Sequence, residues 1–127
     1  AALLNIEGKA LQTMRRALTV LPQATEVNVN TAEPEVIAAI VSGLTLAQAR
    51  SIAGERDRGN WFNDSADFSN RLSSYGDALE IPSVTTGSNW FIANGTVAYM
   101  RSRVSMQALL SMSADSTPKT VWIKETP

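Results

Sequence analysis

From Arg103 to Ala114 the chain keeps a two-residue period that an extended strand holds and a helix does not. Val104, Met106, Ala108, Leu110, Met112 and Ala114 alternate with Arg103, Ser105, Gln107, Ser111 and Ser113, and Leu109 is the one break. Such a strand buries one face. Asp115-Ser116-Thr117-Pro118 then reads as a turn into a last strand, Thr120–Lys124, in which Val121 and Ile123 point one way and Trp122 the other. The chain is therefore expected to end in a β-hairpin. Upstream, Asn89–Met100 is also extended, with Asn94-Gly95 either a hairpin turn or a bulge inside one long strand.

Before residue 82 the period is different. Leu11, Met14, Leu18 and Leu21 follow helical spacing up to Pro22, which predicts a helix over 9–20. Val27-Asn28-Val29 is a brief extended stretch. Asn30-Thr31 then offers capping oxygens to a helix over about 32–42 whose first turn is acidic, at Glu33 and Glu35, and accepts Pro34. Gly43 stands where a left-handed C-terminal residue is wanted. Thr45 with Gln48 forms a capping-box pattern, so a further helix runs through Leu46, Ala49, Ile52 and Ala53 toward Gly59. A last helical turn starts at Asp64 or Ser65, carries Phe68 and Leu72 on one face and stops at Gly76. Helices first and an antiparallel sheet second make an α+β order, with a helical lobe over 1–82, C-terminal strands over 83–127, and the lobe boundary in the Gly- and Ser-containing link 82–88.

Composition excludes more than it names. With 127 residues, 44% of them apolar and 18% charged, the chain suits one folded domain or two small lobes. A net charge of −1 gives no electrostatic reason to expect a polyanion as partner. There is no Cys and no His, which removes Ser-His-Asp and Cys-His catalysis, thiolate and imidazole zinc sites, and disulfides together. The longest apolar run, Ile37–Val41, is far short of the roughly 20 residues that cross a bilayer. The start at Ala1, without an initiator Met or a signal peptide, reads as a processed piece of a longer protein.

The segment Val27-Asn28-Val29-Asn30-Thr31-Ala32, a short helix, a tight turn, a second helix reaching Arg56 and then an aromatic pair resemble two families. One is the DNA-binding helix-hairpin-helix. The other is the K-type minor pseudopilin of the type II secretion system. A phosphate-binding hairpin needs a glycine-rich turn with free amides, whereas Val41-Ser42-Gly43-Leu44-Thr45 has one glycine, and Arg50, Arg56 and Arg58 are interleaved with Glu55 and Asp57. The strands that follow, and the close at Val121-Trp122-Ile123-Lys124, fit the pseudopilin. That resemblance covers most of the chain. It implies a helix-hairpin-helix-like, SAM-like insert followed by strands of a pilin-like sheet, on a subunit near the pseudopilus tip that docks with I-type and J-type minor pseudopilins. It also implies a periplasmic domain on an inner-membrane-anchored Gram-negative protein, whose N-terminal helix, first sheet strands and calcium loops lie outside this piece.

No catalytic, cofactor-binding or metal-ligating residue is expected: Asp64 and Asp67 are too few for a calcium loop and read as helix caps. Asn28–Ala32 reads as an extended approach plus a cap. The cluster Arg50, Glu55, Arg56, Asp57 and Arg58 reads as a solvated helix end, with Arg56 and Arg58 as candidate interface residues. Trp61-Phe62 and Trp90-Phe91 are expected as core anchors. If Val121 and Ile123 face the core, Trp122 lies on the other side and is the candidate interface anchor. Two other readings remain at this point, a DNA contact through Gly43 and Arg50 and a hydrolase with paired carboxylates.

Overall fold

A computed structural model describes residues 8–115 and 117–126. Residues 1–7 of the expected helical lobe and Ser116 of the expected turn lie outside them. The described chain is α+β, in two compact units that divide between Gly87 and Ser88.

The first unit holds α1 (Lys9–Ala17), β1 (Val27–Asn28), α2 (Pro34–Ile40), α3 (Leu46–Asp57), α4 (Ser65–Leu72) with a 3-10 turn at Ser73–Tyr75, and β2 (Val84–Thr85). β1 and β2 pair in parallel, and Val29 continues the ladder by donating to the Thr85 carbonyl at 2.9 Å. That pairing draws residues 84–85 into the first unit, and the division between Gly87 and Ser88 falls within the 82–88 link. α1 ends at Ala17, before the predicted limit, because Thr19 and Val20 are β-branched and Leu21 precedes a proline. α2 starts at Pro34 with Glu33 as its N-cap, φ −65° and ψ 151°, and not at Asn30 or Thr31. The proline ring forbids helical backbone at the residue before it, which fixes the start.

α3 begins as the capping box requires: Gln48 N–H donates to Thr45 Oγ1 at 3.2 Å and Thr45 N–H to Gln48 Oε1 at 3.0 Å. Asp64 caps α4 through Asp67 N–H at 2.8 Å. Between α2 and α3, Gly43 takes φ +92°, a conformation that favours glycine, and a Cβ there would crowd Leu79 Cδ2 at 3.2 Å. The helices enclose a core of Val29, Ile37, Val41, Ile52, Phe68 and Leu72 with smaller neighbours. Phe62 meets Phe68 edge-on at 5.0 Å between ring centres.

The second unit is a three-stranded antiparallel sheet in the order β3-β4-β5, with β3 at Trp90–Tyr99, β4 at Ser102–Met112 and β5 at Pro118–Thr126. β3 is one uninterrupted strand. Asn94 pairs with Gln107 and Gly95 with Met106 in regular register, so neither a turn nor a bulge forms at Asn94-Gly95. The hairpin turn is Met100-Arg101, where Met100 holds φ +52°. The irregularity sits instead at Leu109/Leu110, where the β4–β5 register shifts.

Arg71 locks the loop before α4. Its Nε and Nη2 reach both Asp67 carboxylate oxygens at 3.0 and 2.8 Å, Nη1 and Nη2 donate to the Asn60 and Trp61 carbonyls at 2.6 and 2.7 Å, and the guanidinium stacks 4.8 Å over the Phe62 ring. The Arg71 hydrogen bonds, followed by that from Asn63 N–H, hold the Asp67 carboxyl below its ordinary range. A depressed folded-state pKa contributes stability that is present above the ordinary value, near pH 4, and is lost as pH falls through the folded value. Chemical denaturation of the native chain should therefore show stability falling below about pH 4, with a shallower fall in Asp67→Asn. Parallel curves for the two proteins would contradict this coupling.

Candidate functional site

The segment Asn28–Ala32 folds into a tight turn: Asn30 N–H donates to Asn28 Oδ1 at 3.0 Å, and the N–H groups of Thr31 and Ala32 donate to the Asn28 carbonyl at 3.2 and 2.9 Å. With its own cap duties excluded by Pro34, the Asn30 carboxamide points across the unit. Its Oδ1 accepts the Phe62 N–H at 2.9 Å, and its Nδ2 donates to the Phe62 carbonyl at 2.9 Å and to the Thr86 carbonyl at 3.4 Å. A single side chain thus pairs with Phe62 as a strand would and ties the loop before α4 to the end of β2.

Arg56 completes the clamp. It is only 5% exposed, and Nη1 donates to the Val29 carbonyl at 2.9 Å and the Ala32 carbonyl at 2.7 Å. Nε donates to Asp57 Oδ1 at 2.8 Å, and the Asp57 side chain stays in solvent. The candidate role of Arg56 as a solvent-facing interface residue is therefore corrected. Arg56 lies on the buried face of α3 with Ala49, Ile52 and Ala53, and its charge is spent on backbone carbonyls. Those positions have the i, i+3, i+4, i+7 spacing of a buried stripe, which is the signal the sequence carried. Asn30 had no such signal, since Phe62 is 32 residues away.

Arg58 is exposed at the C-cap of α3. Trp122 is half-buried on β5 opposite Leu109, with the Lys124 ammonium 4.9 Å over its ring. Arg56 and Arg58 belong to the first unit and Trp122 to the second. The premise for Trp122 is reversed as well. Directly paired residues share a face of a sheet. Phe91, Val97, Val104, Met106, Leu110 and Ile123 make one face, and Ile92, Asn94, Gln107, Leu109 and Trp122 the other. The first is the more open, with Val97 68% and Ile123 59% exposed, while on the second Leu109 is 1% exposed and Ile92 42%. Of the expected aromatic anchors, Phe62 is in the core and Trp90 is half-buried, whereas Trp61 and Phe91 are exposed.

The hairpin turn offers little to a phosphate. Ser42 N–H donates to the Glu80 carbonyl at 3.1 Å, Leu44 N–H to the Val41 carbonyl at 3.2 Å, and Thr45 N–H to Gln48. Those amides are engaged within the unit, and a phosphate would have to displace them. Among the described residues no group of three or more Asp, Glu, His or Cys side chains is gathered as metal ligands require. A shallow hollow of about 540 Å³, lined by residues 24–27, Ile40, Pro82 and Ser83, contains one carboxylate, Glu26, which the Ser83 hydroxyl engages. One carboxylate cannot act as an acid–base pair.

The clamp has measurable weight. Asn30→Ala leaves both Phe62 backbone groups without their partner and should cost about 2 kcal/mol of unfolding free energy. Arg56→Ala strands two carbonyls in the core and should cost about 3 kcal/mol. Arg58→Ala should fall within about 0.5 kcal/mol of the native chain. Urea titrations check all three, and an Arg56→Ala protein as stable as Arg58→Ala would refute the clamp.

No helix among the described residues is long and apolar enough to cross a membrane. A search of curated proteins finds no sequence match to the chain. Residues 27–86 match the family model of type II secretion system protein K. The match starts at the first residue of β1 and ends one residue after β2, so it spans the Asn30–Arg56 clamp and the helical hairpin. The match covers just under half of the chain and supports placing it with the type II secretion system protein K family, the minor pseudopilins.

Proposed function

We propose that the chain is a structural assembly subunit, the C-terminal part of a minor pseudopilin near the tip of the type II secretion pseudopilus. It helps proteins leave across the outer membrane by fitting against its neighbours, and it performs no catalysis. Its partners in this reading are the I-type and J-type minor pseudopilins. Its place is the periplasm, on a protein held at the inner membrane by a helix outside this piece. The match of residues 27–86 to the protein K family carries the reading.

The structure supports it in a second way. The helical unit has a closed core, and the sheet unit carries an apolar face, at Phe91, Val97, Val104, Met106 and Ile123, that is open to solvent. Apolar area of that kind contributes to association at roughly 25 cal/mol per Å² removed from water, and it selects partners by shape. The committed amides of the hairpin turn and the charge balance around α3 weigh against duplex DNA as the partner.

Mixing the purified chain with I-type and J-type pseudopilin domains should give a stable complex. Val97→Asp combined with Ile123→Asp should weaken that complex at least ~10-fold, about 1.4 kcal/mol, while leaving the helical unit's unfolding unchanged. A chain that ignores both domains but binds duplex DNA with a steep salt dependence would overturn the reading in favour of a helix-hairpin-helix module.

A further inference from the structure

Asn94-Gly95 is the only Asn-Gly pair in the chain, and every other asparagine precedes a residue that carries a side chain. Turn formation, the usual reason for such a pair between strands, is absent, because both residues lie in the middle of β3. What remains is its chemistry. An asparagine carboxamide is an electrophile for the backbone nitrogen of the next residue, and glycine leaves that nitrogen unhindered because it has no Cβ. A Cβ at Gly95 would meet nothing within 4 Å, and both residues are exposed, so neither packing nor burial shields the pair from water.

The ladder is what restrains it. Met112 N–H donates to the Asn89 carbonyl at 2.8 Å, which makes Asn89 and Met112 a hydrogen-bonded pair. Such pairs alternate along an antiparallel ladder, so Gly95 and Met106 form one too, and Gly95 N–H is directed at the Met106 carbonyl. The Asn94 carboxamide is held across the sheet, where its Oδ1 accepts from Gln107 Nε2 at 3.0 Å. Ring closure needs the Gly95 nitrogen free of its acceptor, and it needs the Asn94 ψ to swing far from the roughly +135° of an antiparallel strand. Pairing of β3 with β4 opposes both.

We propose that Asn94 is a site of spontaneous covalent modification gated by the β3–β4 ladder, where opening of β3 permits irreversible conversion of the asparagine to aspartate and isoaspartate. In the first step the Gly95 nitrogen gives its proton to solvent and attacks Asn94 Cγ. The bond from Cγ to the Gly95 nitrogen forms, the Cγ–Nδ2 bond breaks, and ammonia leaves with a proton from solvent, which closes a five-membered imide. Water then adds to one of the two imide carbonyls, its bond to nitrogen breaks, and the nitrogen regains a proton. Opening at Cγ gives aspartate, and opening at the main-chain carbonyl gives isoaspartate. The sum is hydrolysis of one amide, with water as the co-reactant. Aspartate keeps the strand and still accepts from Gln107. Isoaspartate adds a methylene to the backbone between Ala93 and Gly95, so residues 95–99 no longer fall opposite 102–106 and the Val97–Val104 pair is lost. The reaction thus leaves a permanent record that β3 has been unpaired. It goes beyond the subunit role and draws on the sheet alone, so its failure leaves that role in place.

The hairpin turn supplies variants that reach the site only through the ladder. Met100 holds φ +52° at the first central position of the turn, where glycine is preferred, so Met100→Gly relieves strain and stabilises the hairpin. Val104→Gly removes the side chain opposite Val97 and weakens it. The native chain and both variants are incubated at mildly alkaline pH, folded and in urea, and aspartate and isoaspartate are counted by peptide mass spectrometry. Asn94 should be the first asparagine modified, at least ~10-fold more slowly in the folded native chain than in urea. Among the folded chains Met100→Gly should be severalfold slower than native and Val104→Gly severalfold faster, with equal rates in urea and with hydrogen exchange at the Gly95 amide in the same order. Modification falling first on another asparagine, a folded chain as fast as the unfolded one, or rates that ignore the variants while Gly95 exchange responds would overturn the proposal.

Discussion

A guanidinium inside a small core is tolerated only where its protons have acceptors, and the helical unit is arranged around that demand at Arg56. The Asn28 turn aims the Val29 and Ala32 carbonyls at Nη1. The same turn leaves Asn30 facing the other way, into the backbone of Phe62. Pro34 then sets the start of α2, and the Thr45–Gln48 box sets the start of α3 so that Ala49, Ile52, Ala53 and Arg56 come to one face. Among the described residues no buried side-chain nitrogen or oxygen lacks a partner. Removing one member of this set therefore exposes several groups at once, which is why the contribution is cooperative.

Much of this was legible where the cause is local. The capping box at Thr45, the cap at Asp64, the glycine at 43 and the strand periods from Trp90 onward depend on residues within a few positions of one another, and all took the form their pattern implied. Asn30 looked like a helix cap because caps are local, and its actual partner is far along the chain. Arg56 looked solvated because Glu55, Asp57 and Arg58 surround it in sequence, although its spacing from Ala49, Ile52 and Ala53 pointed inward. Alternation along β4 showed that two unlike faces exist and did not show which is covered. The break at Leu109 marked the face on which that residue is buried.

The two units also differ in how they meet solvent. The helical unit closes on itself, with Phe68, Ile37, Ile52 and Leu72 fully enclosed. The sheet unit keeps Val97, Val104, Met106 and Ile123 in water on one face. A three-stranded sheet gains much of its stability from what packs on it, so an open apolar face suits a subunit whose work is to fit against others. The match to the protein K family falls on the closed unit, where the sequence is tied to its own fold by the clamp.

The dependence of the helical unit on that clamp can be read at one amide. Phe62 N–H lies in a loop, outside any helix or strand, and donates to the Asn30 carboxamide oxygen at 2.9 Å. Native-state hydrogen exchange should find this amide protected to the same free energy as the buried amides of α3, Ile52 and Ala53, because opening it requires undoing the clamp. Exchange at the rate of the exposed loop residues around it, with α3 still protected, would show that the unit stands without Asn30 and would contradict the account.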